Sequence, residues 1–121
     1  MRKLVLTFGL LLLVACRRGS PKLEGHWKGV RADGVDPTAQ NPASAFAQNT
    51  EIIAQGDKIA IQTPNGRSPT TLYVVDKEDP TTVVIHTEKD GTTETFTFNE
   101  KGDVMTWRID TSRAIVFKKI P

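Results

Sequence analysis

A chain of 121 residues with 16 lysines and arginines against 14 aspartates and glutamates carries a formal charge of +2. Arg2 and Lys3 supply that excess, so everything beyond them is balanced, and no basic stripe interleaved with aromatics offers nucleic acid an electrostatic footprint. With a single cysteine, no disulfide can form within one chain, so burial must hold the fold.

The chain opens with Arg2 and Lys3 as a positive head, an apolar run from Leu4 to Val14, and the ending Leu13-Val14-Ala15-Cys16. A charged head, about a dozen apolar residues and a small residue before the cut describe a secretory signal. A membrane-spanning helix needs roughly 17 to 25 apolar residues, and this run is stopped by Arg17 and Arg18. The sole cysteine directly after Ala15 resembles the lipobox of bacterial lipoproteins. The resemblance implies cleavage between Ala15 and Cys16 and a diacylglycerol on the Cys16 sulfur. One acyl chain binds a bilayer marginally and two or more hold it stably. Arg17 stands where an aspartate would retain such a protein at the inner membrane, so the resemblance places it on the periplasmic face of the outer membrane.

Residues 17–22, Arg-Arg-Gly-Ser-Pro-Lys, are polar and turn-rich and read as a tether. Its arginines either meet anionic headgroups, at about 1 kcal/mol each, or are simply solvated. The organisation is therefore a signal over 1–15, a lipidated cysteine and tether over 16–22, and one domain over 23–121.

That domain is dominated by extended patterns. Thr95-Phe96-Thr97-Phe98 and Met105-Thr106-Trp107-Arg108-Ile109 alternate with period two, the mark of half-buried strands. Turn signals at Gly56-Asp57, Asn65-Gly66, Asp79-Pro80, Asp90-Gly91, Gly102-Asp103 and Thr111-Ser112 separate them. Eight strands are expected, at 24–31, 49–55, 58–63, 70–77, 81–88, 92–99, 103–110 and 113–119. The connection 32–48 is different: Asp36-Pro37 reads as a helix start and Ala39 to Ala47 is alanine-rich, while Pro42 restricts any helix to a short or kinked one.

Parity predicts an inward set of Trp27, Ile52, Ile59, Ile61, Leu72, Val74, Val83, Ile85, Phe96, Phe98, Met105, Trp107, Ile109, Ile115 and Phe117. Tyr73 and Val75 then face outward and need cover from the helix or a partner. The class is all-β, closed either as an eight-stranded antiparallel up-and-down barrel, which removes sheet edges, or as a two-sheet sandwich.

Gly25-His26-Trp27 at the start of the first strand resembles the Gly-x-Trp opening of lipocalins and their calycin relatives. The long first connection followed by short hairpins is similar to that family's layout as well. The resemblance implies a lipocalin-like barrel with Trp27 plugging its closed end and Arg113 packing across it. It also implies a non-enzymatic domain that binds a small apolar molecule; Trp27 and the aromatics Phe46 and Trp107, which could line a binding mouth, are the candidate contacts. Strands of six to eight residues span roughly 20 to 27 Å, shorter than a typical lipocalin, which leaves less interior to spare.

No catalytic signature competes with that reading. There is no Gly-x-Ser-x-Gly elbow, and His26 and His86 have no cysteine or second histidine at ligand spacing, so no metal or cofactor is expected. The alternative function is a structural lipoprotein with a packed barrel that contacts an envelope protein through the outer face of the strands from Tyr73 to Val84.

Overall fold

The computed structural model describes residues 19–121; the signal, the lipobox and Cys16 lie outside the described residues. Nine strands form one sheet: β1 (Gly25–Asp33), β2 (Glu51–Gln55), β3 (Lys58–Thr63), β4 (Gly66–Arg67), β5 (Thr71–Glu78), β6 (Thr82–Thr87), β7 (Thr93–Phe98), β8 (Val104–Arg108) and β9 (Ala114–Ile120). The two-residue β4 only folds back on β3, so eight strands make the wall. Every neighbouring pair is antiparallel. Pairing of β1 with β9, and of β2 with β3, closes the ring. The protein is therefore a closed eight-stranded up-and-down barrel, and the sandwich alternative falls. The thinnest seam is β3–β5, held by Lys58↔Leu72 and Ile59↔Thr71.

The expected helix is present between β1 and β2. Asp36 accepts hydrogen bonds from the Thr38 backbone N–H (2.9 Å) and hydroxyl (2.7 Å), opening a 3₁₀ turn over Pro37–Ala39 that leads into α1 (Gln40–Gln48). Pro42 falls in the first turn of α1, where its missing N–H would have had no intrahelical partner. The helix lies against β1 at Gly29, whose N–H donates to the Thr50 carbonyl at 2.9 Å. A Cβ on Gly29 would stand 1.9 Å from the Ala47 carbonyl oxygen, so only glycine permits this approach.

The barrel interior is filled by Trp27, Ile52, Ile59, Tyr73, Val75, Val83, Ile85, Phe96, Phe98, Met105, Ile115 and Phe117. The Trp27 ring meets Phe98 edge-on, with centroids 5.9 Å apart, and Trp107 lies 6.4 Å from Phe117. Three inward expectations, Leu72, Val74 and Ile109, are corrected. On β5 the phase is reversed: Tyr73 and Val75 are buried, while Leu72 and Val74 are half-buried on the outer face. All four residues are apolar, so alternation alone cannot choose between them. The choice is made by partners, because Val75 sits opposite the buried Ile85 and a bulge at Asp76 then resets the register. Ile109 is 43% exposed, since β8 ends at Arg108 and Ile109 already belongs to the turn, donating its N–H to the Arg113 carbonyl.

Candidate functional site

The two ends of the barrel differ. At the end where β1 begins, the chain from Gly19 to Glu24 runs across the opening. The Tyr73 hydroxyl accepts from the Ser20 N–H (2.8 Å) and donates to the Gly56 carbonyl (3.0 Å). Ser20 Oγ donates to Glu78 (2.8 Å), Glu24 accepts from the Gly56 N–H (2.8 Å), and Trp27 Nε1 donates to the Leu23 carbonyl (2.9 Å). Leu23 and Trp27 are fully buried, so this end is sealed. Ser20, placed in the tether by its sequence, is 2% exposed and belongs to the barrel.

Trp27 lies buried at this closed end, and its basic neighbour is Lys119. Lys119 Nζ lies 5.5 Å from the Trp27 ring centroid, a cation–π contact. Arg113 ends the β8–β9 return at the far end, just before Ala114, which pairs with Asp33 on β1, and its guanidinium pairs with Asp110 at 2.6–2.7 Å. The geometric reason is direction: β9 runs from the open end to the closed one, so only its last residues reach Trp27.

The opposite end opens on a cavity of about 220 Å³. Its apolar floor is Ile59, Ile61 and Ile85, with Ile85 fully buried. Its polar wall comes from the tops of β5, β6 and β7: Thr71, Thr87, Thr92, Asp90 and Glu94, with Ser68, Pro69 and Lys89 at the exposed rim. Glu94 is half-buried, in phase with the inward Phe96 and Phe98, and its Oε1 accepts from Trp107 Nε1 at 3.0 Å. Asp90 collects the Thr87 hydroxyl (2.5 Å), the Thr92 hydroxyl (2.7 Å) and the Thr92 N–H (3.1 Å). These donors hold its carboxyl down at about 2, so it stays an anion, and all three reach the same oxygen, Oδ1, of an exposed residue in the β6–β7 return.

Of the three candidate ligand contacts, only Trp107 adjoins this cavity, through Glu94. Trp27 is sealed in at the other end. Phe46 sits on α1, 37% exposed, over a separate apolar groove of about 230 Å³ lined by Ala32, Val35, Ala43, Ile109 and Ile115. Glu94 went unnoticed in the sequence, though it carried a signal: an acidic residue in phase with Phe96 and Phe98 on an otherwise apolar strand face. A wide, shallow depression at the closed end is lined by Gly19, Ser20, Pro21, Glu24 and Lys119.

On the outer wall His26 pairs with Glu51 across β1–β2, and His86 with Asp76 at 2.7 Å across β5–β6. Among the described residues, no group of three or more His, Cys, Asp or Glu side chains gathers in a metal-binding arrangement, and no helix is long and apolar enough to cross a membrane. Comparison with protein families, with curated proteins and with solved structures finds no match to this chain.

Proposed function

We propose that this chain is a lipid-anchored envelope lipoprotein whose lipocalin-like barrel is a non-enzymatic binding module for a small ligand with an apolar body. The observation that carries the binding half is the asymmetry of the barrel, sealed at Trp27 and open above Ile59, Ile61 and Ile85. At about 220 Å³ the cavity falls below the roughly 300–1,000 Å³ of pockets that take drug-sized ligands, so its occupant is smaller than those. The anchoring half rests on Leu13-Val14-Ala15-Cys16, with the periplasmic face of the outer membrane as the site implied by Arg17. The position of Gly19 supports it: three residues from Cys16 span at most about 11 Å, so the acyl chains would sit beside the sealed end.

Two measurements test the halves separately. Metabolic labelling with an alkyne fatty acid is expected to mark the wild type and to be lost in Cys16→Ala; persistent label overturns the anchor. Titration with toluene, followed by amide shifts, is expected to move signals of Ile59, Ile85 and Glu94. No movement up to millimolar concentration overturns the binding module.

A second reading, a structural lipoprotein that docks an envelope protein, is favoured by one feature. Phe46 and Ile109 are exposed on either side of the apolar groove at the open end, 37% and 43% respectively. This moves the expected contact away from the Tyr73–Val84 strands, whose Tyr73 and Val75 point inward. A photo-crosslinker at position 46 that recovers only monomer in intact cells counts against it.

A further inference from the structure

We propose that the open-end cavity selects small amines, with an ammonium group docking on Glu94 and the apolar body resting on Ile59, Ile61 and Ile85. The inference rests on the reading of the barrel as a binding module and adds the chemical class of its ligand.

The polar groups of the wall differ in what they have left to offer a ligand. The hydroxyls of Thr87 and Thr92 both donate to Asp90, so they face a ligand as acceptors. Thr71 Oγ1 turns to the Leu72 carbonyl, and Ser68 Oγ accepts from the Ile61 N–H at the rim. Glu94 is different. One oxygen takes the Trp107 indole N–H, which fixes the carboxylate against the inner wall, and the other has no protein donor among the described residues. Lys89 is the one cation of the lining and stands exposed at the tip of the β6–β7 return. A half-buried carboxylate held in place, in a wall whose Thr87 and Thr92 hydroxyls have already given their protons to Asp90, calls for a ligand that brings its own donors and a positive charge. A hydrogen bond between ionised partners is worth roughly twice a neutral one, so the charge decides among ligands of equal shape. The volume restricts the body to about the size of one aromatic ring with a short side chain.

The test uses the full-length chain in detergent and three probes of one shape: 2-phenylethylamine, 2-phenylethanol and phenylacetate. The readout is the pair of tryptophan indole N–H resonances, with that of Trp107 assigned by Trp107→Phe. The amine is expected to shift the Trp107 signal with an affinity about tenfold or more above that of the alcohol, and phenylacetate is expected to bind weakest. Glu94→Gln keeps an oxygen for the Trp107 N–H, so the barrel stays folded, while amine and alcohol become equal. Equal binding of amine and alcohol to the wild type overturns the amine selection and leaves the binding module standing. Preference for phenylacetate overturns it in favour of Lys89. Silence from all three probes overturns the module itself and the selection with it.

Discussion

The hydroxyl of Tyr73 joins three separated segments, taking the Ser20 N–H and giving its own proton to Gly56. Tyr73→Phe leaves a buried donor and a carbonyl without partners, and is expected to cost about 1–3 kcal/mol in urea unfolding. Burial pushes the phenol above its ordinary value, and the nearby carboxylates of Glu24, Asp57 and Glu78 push the same way against the opposing Ser20 hydrogen bond. A raised folded pKa stabilises the protein below the unfolded value near 10, and that contribution is lost as pH climbs through the folded one. Because Tyr73 is the sole tyrosine, phenolate absorbance reports it alone and is expected to rise later than in the urea-unfolded chain. The turn aspartates behave in the opposite sense. Hydrogen bonds from Thr87 and Thr92 hold Asp90 at about 2, and those from Arg113 and Ser112 lower Asp110. Their stabilisation is present above the unfolded value near 3.9 and disappears as pH falls toward 2. Carboxyl carbon shifts are expected to show Asp90 titrating near 2, and a value near 4 would contradict the network drawn around it.

At the scale of the element, the strand pattern, the turns and even the Asp36-Pro37 helix start were readable, because each is written in local residue preferences. The phase of β5 was not. Leu72, Tyr73, Val74 and Val75 are apolar on both faces, and the deciding contacts, Val75 opposite Ile85 and Tyr73 against Ser20, come from distant parts of the chain. The corrected phase has a direct test with one isosteric change on each face. Val75→Thr buries a hydroxyl among apolar neighbours and is expected to cost about 1–3 kcal/mol. Val74→Thr, on the outer face, is expected to stay within about 0.5 kcal/mol in the same unfolding assay. The open-end cavity is partly legible: alternation places Trp107, Ile59, Ile61 and Ile85 inward, but Glu94 acquires its meaning only when β7 is laid beside β8. Arg113 illustrates the same limit, since strand direction decides which end of β9 reaches Trp27. The contact of α1 with β1 is equally invisible in sequence, because Gly29 is extended and has no turn signature. Gly29→Ala drives a methyl group into the Ala47 carbonyl and is expected to lose about 3 kcal/mol of stability or detach α1, read by denaturation and helix-region circular dichroism.

For the whole molecule, the ends of the barrel have opposite assignments: the chain enters at the sealed end, and the cavity, α1 and the Phe46–Ile109 groove all lie at the other. With Cys16 lipidated, the open end is expected to face the aqueous phase. Single cysteines in vesicle-bound protein check this, with Asn65→Cys at the open end reacting with a water-soluble maleimide severalfold faster than Asp57→Cys at the sealed end. Equal rates would mean the barrel lies on its side.

The knot of hydrogen bonds around Ser20 also determines how the molecule would carry mechanical load. Ser20 is tied to Tyr73 on β5 and to Glu78 at the end of that strand, and Glu24 clasps the β2–β3 hairpin. A pull applied ahead of Ser20 would therefore not peel β1 from its neighbours one bond at a time. It is spread at once over three walls of the ring, as a stem is bolted to a cup through its base plate.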